Sequence, residues 1–253
     1  MKKMTMVLCL VFLLSVPASS FALLGVVDFE AAVGGWYATP SGTMKYKAND
    51  GIKSDLEDSF GFEDEAFAMG RVKLDLPVIP VIYLMATPME FKGDAKQSFN
   101  FNGQDFTTGA KTKLTFNQYD LALYYGVPFL GLATLGTVHV NAGINVRLIQ
   151  AKADIQSEDL SVSDSMDMTI PLPMLYLSAD VSPVDMFAIE AEIRALSVGY
   201  GSVVSAIARL RINALGPVFV TAGYRYEDMS VDKDDFEADI TISGPFAEVG
   251  LKF

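Results

Sequence analysis

Three sets of residues in this 253-residue chain have types and spacings that could do chemistry. The first is its single histidine, His139, which beside an aspartate or a serine could serve as a general acid or base. The second is a set of acidic runs: Asp55, Glu57, Asp58, Glu63, Asp64 and Glu65 early on, and Asp232, Asp234 and Asp235 near the end. Clustered carboxylate oxygens can hold Ca²⁺ or Mg²⁺, although Asp-Lys-Asp-Asp lacks the spacing of an EF-hand loop. The third set is larger and more regular. Asp28, Glu30, Arg71, Lys73, Asp75, Asp120, Arg147, Asp180, Glu190, Glu192, Arg194, Arg209, Arg211, Arg225, Glu227, Glu248 and Lys252 all lie on or beside stretches in which apolar and polar residues alternate. Charges gathered on one face of such stretches could pair into a rigid lattice or line a polar path. In the second case Arg209/Arg211 and Arg194/Arg147 would form a selectivity ladder.

The elements that must position these residues are strands, because side chains alternate faces only along an extended backbone. The clearest is residues 137–148, where Val138, Val140, Ala142, Ile144, Val146 and Leu148 alternate with Thr137, His139, Asn141, Gly143, Asn145 and Arg147. Its length suits a tilted strand crossing a bilayer. The same alternation predicts strands over residues 26–39, 66–76, 112–126 and 171–181, and around Ile189, Ala206 and Val220. Another ends near Lys92, with a bulge expected at Pro88. The last runs from Phe246 to Phe253, with Ala247, Val249, Leu251 and Phe253 on one face and Glu248, Gly250 and Lys252 on the other. The expectation is about ten strands, with eight as the alternative count. Their connections alternate between short turns and longer acidic loops at residues 41–65, 93–111, 153–169 and 228–239. The short connection at residues 199–201 breaks that rhythm.

Residues 1–22 read as a secretory signal peptide: Lys2 and Lys3, an apolar run, then a small-residue site ending at Ala22. Cys9, the only cysteine, lies inside that run, so residues 23–253 have neither a disulfide framework nor a thiolate metal site. Net charge −12 coexists with 51% hydrophobic residues, which implies that acidic and apolar surfaces are segregated. Beyond Ala22 no stretch approaches the length of a membrane-spanning helix, and the only other structure that satisfies every backbone group in lipid is a closed barrel. A soluble sandwich would alternate too. Tyr119, Tyr125, Tyr224 and Tyr226 at the ends of apolar faces instead fit interfacial girdles. The fold class is therefore all-β: an antiparallel up-and-down transmembrane β-barrel, occupying residues 23–253.

The chain also resembles a family of small bacterial outer-membrane β-barrel proteins marked by an N-terminal Gly-Gly strand. The matching stretches are Gly34-Gly35-Trp36-Tyr37, residues 55–61, residues 119–125, residues 171–176, Ala222-Gly-Tyr-Arg225 and Gly244-Pro-Phe246. The resemblance implies the barrel class and an outer-membrane address, and it brings no activity. The closing strand, with Phe246, Leu251 and Phe253, resembles the C-terminal signal read by the barrel-assembly machinery.

The functional expectation is a non-enzymatic envelope protein, structural or interacting, with a charge-filled lumen. A narrow channel for small polar solutes or ions is the alternative. His139 should lie low in the lumen in a structural role. No cofactor is expected. The expected partners are outer-membrane lipid, lipopolysaccharide, the assembly machinery, and divalent cations at the acidic loops. Nucleic acid is excluded by the acidic charge.

Overall fold

A computed structural model describes residues 27–46, 53–128, 133–157, 163–233 and 236–253. The signal-peptide reading of residues 1–22 lies outside the described residues. In chain order the strands are β1 (Asp28–Tyr46), β2 (Ser54–Asp55), β3 (Glu65–Asp75), β4 (Val81–Thr87), β5 (Glu90–Asp94), β6 (Phe99–Phe101), β7 (Gln104–Phe106) and β8 (Lys111–Gly126). They continue with β9 (Val138–Gln156), β10 (Ser163–Val184), β11 (Phe187–Val198), β12 (Gly201–Leu215), β13 (Val218–Lys233) and β14 (Phe236–Lys252). Each long strand pairs antiparallel with its sequence neighbours, and β14 pairs back onto β1 from Glu30↔Lys252 to Tyr46↔Phe236. The sheet is thus a closed barrel, which leaves it without the edge strands that template aggregation. Counting β4 and β5 as one stave interrupted at Pro88, the wall has ten staves among the described residues. The interruption falls where a proline has no N–H to give the ladder. β2 pairs at the upper end of β1, and β6–β7 form a separate hairpin.

Apolar side chains cover the outside of the middle of the barrel. Ile144 is 58% exposed, Leu175 69%, Ile189 58% and Val249 51%. In water such a belt would be an unusually large apolar surface; in a bilayer it is the lipid-facing band. Tyr37, Tyr119, Tyr125, Tyr224 and Tyr226, also exposed, are placed as amphipathic anchors. No helix among the described residues is long and apolar enough to cross a membrane. The strands do the crossing.

Several strands run further than their alternation suggested. β9 continues to Gln156 and β10 begins at Ser163, so most of the segment read as a third acidic loop is paired strand. The acidic segment 228–239 is likewise the tip of the β13–β14 hairpin, paired up to Lys233↔Phe236. There Asp228, Asp232, Glu237 and Asp239 sit on the outward face of strands that have already left the lipid. Above the band, Lys53 Nζ donates to Asp239 Oδ2 at 2.6 Å, which raises the lysine pKa and lowers that of the carboxyl.

Of the paired glycines in β1, only Gly34 is required by close approach. A Cβ there would lie 2.0 Å from the Ala247 carbonyl oxygen, whereas one on exposed Gly35 would meet nothing nearer than 3.8 Å. Gly34→Ala is therefore expected to destabilise the barrel by about 1–3 kcal/mol through overpacking, and Gly35→Ala to leave it nearly unchanged. Urea-unfolding midpoints of the two variants in the same detergent check this contrast.

Candidate functional site

The lumen has two layers, and both follow from strand alternation. In the lower layer, level with the lipid band, inward positions are charged. Arg71 (β3) donates to Glu30 (β1) through Nη1, and its Nε lies 3.0 Å from Glu248 Oε2 (β14). Thr221 donates to the same Glu248 oxygen at 2.9 Å. Arg211 (β12) reaches Glu30 at 2.7 Å and Glu190 (β11) at 2.9 Å. Arg209 joins Glu190 at 3.1 Å and Glu192 at 2.7 Å, and Arg194 meets the other Glu192 oxygen at 2.9 Å. Arg194 Nε is 3.9 Å from Asp120 (β8), which Arg147 (β9) grips at 2.9 and 3.1 Å with two donors. Arg147 Nη1 continues to Glu227 (β13) at 2.5 Å, and Arg225 closes the chain on Glu227 at 2.7 Å.

The result is one continuous path of alternating sign: Glu248, Arg71, Glu30, Arg211, Glu190, Arg209, Glu192, Arg194, Asp120, Arg147, Glu227, Arg225. Six arginines face six carboxylates, so the path is neutral, and every member is buried. Neutrality matters because an unpaired ion in such surroundings costs several kcal/mol, while a paired and hydrogen-bonded one is held. Two further kinds of partner enter the layer. Aromatic rings lie against the guanidinium planes: Trp36 under Arg225 at 4.4 Å, Phe219 under Arg211 at 4.3 Å, and Tyr83 and Tyr176 around Arg194 at 5.2 and 5.3 Å. Neutral polar groups take some of the remaining donors, as Thr87 and Gln118 do for Arg225, both at 2.7 Å, whereas Arg194 Nη1 and Arg209 Nη2 are buried without a hydrogen-bond partner among the described residues.

Of the residues expected in this lattice, Glu30, Arg71, Asp120, Arg147, Glu190, Glu192, Arg194, Arg209, Arg211, Arg225 and Glu248 come together. Lys73 reaches its edge, 3.8 Å from Glu192 and over the Tyr83 ring. Asp28 and Lys252 are a correction: both are exposed at the lower mouth, because they are the end residues of their strands and lie below the last buried layer. His139 also lies there, half-exposed, with Nδ1 3.2 Å from Asp180 Oδ1. Of the acidic candidates, Asp232 is exposed on β13 and Asp234 and Asp235 lie outside the described residues. Among the described residues no three His, Cys, Asp or Glu side chains converge as a metal site. In the closing strand Leu251 and Phe253 point outward, whereas Phe246 turns into the lumen, 6.0 Å from the Arg209 guanidinium.

The upper layer was not anticipated. Above the charges the inward positions turn apolar: Leu114 and Phe116 on β8, Ile149, Ala151, Ala153 and Ile155 on β9, Met166 on β10, and Ala238, Ile240 and Ile242 on β14. On one side this layer is capped by Leu56, Phe60, Phe62, Phe91, Phe99, Phe101 and Phe106 from the loops and short strands. The signal was present as a phase reversal. On β9 the apolar residues are even-numbered from Val138 to Leu148 and odd-numbered from Ile149 to Ile155, with Gln150, Lys152 and Asp154 turned out. That shift marks where the strand leaves lipid outside and leaves the charged layer inside.

No protein-family model matches the chain, and no curated protein is similar to it. Among solved structures, the outer membrane protease OmpT from Escherichia coli aligns over 89% of this chain and 96% of its own, with TM-score 0.52 and 11% identity. Ail, the attachment invasion locus protein of Yersinia pestis, aligns over 90% and 99%, with TM-score 0.39 and 9% identity. A Pseudomonas aeruginosa FadL homologue aligns over 90% of each chain, with TM-score 0.37 and 8% identity. At these identities the likeness to OmpT is one of fold alone. With the lipid-facing band and the closed ten-stave wall, it makes this chain an integral β-barrel of the bacterial outer membrane.

Proposed function

We propose that the protein is a plugged, non-conducting and non-enzymatic outer-membrane barrel that serves the envelope as a structural or interaction protein. The observation that carries this reading is the neutral charge path, to which eight of the ten staves contribute an ionic group. The other two contribute Tyr83 and Thr87 from β4 and Tyr176 from β10. Arg147, Arg194, Arg225 and Trp36 have no exposed surface, which supports a lumen packed across its middle. A small barrel filled by its own side chains is a packed core. The arginines that would have made a selectivity ladder are each paired with carboxylates, which favours the plug over the channel. In planar bilayers the purified protein is expected to give no single-channel conductance above background. Stable unitary openings would overturn the plug.

OmpT is a protease, but a shared fold does not carry an activity. His139 with Asp180 faces the lower mouth, away from the outer surface where an external substrate would arrive. Protease and lipase assays are expected to read background, with His139→Ala indistinguishable from the parent.

The closing strand is the segment by which the assembly machinery would recognise the chain. Divalent ions bridging the outer carboxylates to lipopolysaccharide phosphates are a second contact of the same reading. Heat stability in micelles that did not change with EDTA would count against that contact.

A further inference from the structure

The apolar upper lumen encloses a cavity of about 600 Å³. Its lining includes Leu114 and Phe116 of β8, Ile149 and Ala151 of β9, Met166 and Met168 of β10, and Val203, Met229 and Ile240 of the facing wall. No lining residue is charged. That volume lies within the usual range for small-molecule sites, and a mostly apolar lining is typical of them. Methionines supply unbranched, polarisable walls that adapt to ligand shape.

The cavity also reaches the outside of the wall. β10 pairs with β9 along its whole length from Ser163 to Val181, but its pairing with β11 begins only at Leu175↔Ala195. Above that point Leu196, Ser197 and Val198 pair with β12 alone, and the turn at Gly199-Tyr200 ends the hairpin while β10 stands taller. Pro171 and Pro173 lie in this unpaired part of β10. Neither has an N–H to donate, so a ladder cannot close there. Both prolines are exposed on the outer face, yet both line the cavity, together with Leu196, Val198 and Tyr200 across the gap. The seam sits at the upper edge of the lipid band: Leu175 and Leu177 below it are apolar and outward, while Thr169 and Asp167 above it are polar and outward. The short connection at residues 199–201, out of step with the other outer loops, is therefore the low wall that leaves the seam.

We infer that the upper lumen is a binding site for an uncharged apolar small molecule, exchanged with the outer leaflet through the seam between β10 and β11. The absence of charge in the lining leaves a carboxylate or phosphate without an ionic partner there. The flanks are acidic as well: Asp164 and Asp167 lie on β10 above the seam, and the Asp232 backbone N–H bonds the Tyr200 carbonyl at 2.9 Å. Lys152, the cross-strand neighbour of Asp167, is held by both oxygens of Asp154 at 2.8 Å. An anionic amphiphile would be repelled at the mouth; a neutral one would not.

The test uses the full barrel in lipid nanodiscs, where no detergent competes, with 1-aminoanthracene as a neutral fluorescent probe. Saturable binding is expected, with dodecanol displacing the probe about tenfold more effectively than dodecanoate, since like charge at the mouth disfavours the anion. Ala151→Phe and Val203→Phe, which fill the cavity from different strands, are each expected to weaken probe binding by roughly tenfold or more. Retained heat-modifiable migration shows that a variant is folded, and having two variants guards against the failure of one. Pro171→Val with Pro173→Val restores two donors to the ladder and is expected to slow probe exchange while leaving affinity nearly unchanged. Probe binding that is absent, or equal in both filled variants and the parent, overturns the site. Dodecanoate displacing as well as dodecanol overturns the ligand class, and unchanged exchange in the double-valine variant overturns the seam. None of these readouts depends on whether the lower plug conducts.

Discussion

Arg147→Ala is expected to lower the stability of the barrel by about 3–5 kcal/mol, the range for removing one partner of a buried ion pair. Arg147 donates to Asp120 from two nitrogens, to Glu227 at 2.5 Å and to Ser205 at 3.2 Å, and it has no exposed surface. Its loss leaves Asp120 with only Asn145, at 2.7 Å, and the more distant Arg194. Glu227 keeps Arg225 and Ser205. Two carboxylates would then carry charge in a dry layer with half their compensation gone. Unfolding by urea in liposomes, followed by loss of the heat-modifiable band, measures the effect. The triple variant Arg147→Ala, Asp120→Asn, Glu227→Gln should recover part of the loss, because it removes the orphaned charges as well. A single-variant loss below about 1 kcal/mol would mean that the plug is solvated like a surface salt bridge.

Removal of Phe253 is expected to depress outer-membrane levels of the protein more than shortening the β6–β7 hairpin does. Phe253 exchanges both backbone hydrogen bonds with Phe29, its N–H reaching Phe29 O at 2.9 Å and Phe29 N–H reaching Phe253 O at 3.1 Å. That pair ties the lower rim where β14 meets β1. The two bonds contribute only about 1–3 kcal/mol together. The larger part of the expected effect lies in closure: without the β14–β1 pairing both edge strands stay open. Phe253 is also 40% exposed on the lipid side, where an aromatic ring anchors the rim. The β6 and β7 strands ladder only with each other, and the hairpin holds the wall through Asn102, which donates to the Tyr46 carbonyl and to Asp164, both at 2.7 Å, so shortening it leaves every wall ladder intact. Immunoblots of outer-membrane fractions compare the two deletions, and equal levels would sink the prediction.

Alternation along the strands is a local property, and for that reason the sequence by itself determined much of this protein. A residue's face depends only on its parity within an extended segment, so the ten staves, the lipid-facing band and the inward set of charges could be read position by position. The break at Pro88 is local in the same sense. Pairing among the charges is not. Arg71 meets Glu248 across 177 residues and Arg147 meets Glu227 across 80, so each pair depends on the stagger of strands that share no sequence neighbourhood. Parity placed Asp28 and Lys252 inward, but only the height of each strand in the closed barrel put them at the mouth. The upper layer lay in the sequence as a phase reversal on β9. Its meaning appeared only when β8, β9, β10 and β14 brought their reversed segments to one level, beneath an aromatic cap drawn from separate loops. The seam beside Pro171 and Pro173 likewise required two facts from different strands: prolines without donors on β10, and a neighbouring hairpin too short to cover them. Periodicity fixes which way a side chain points; closure of the barrel decides what it meets there.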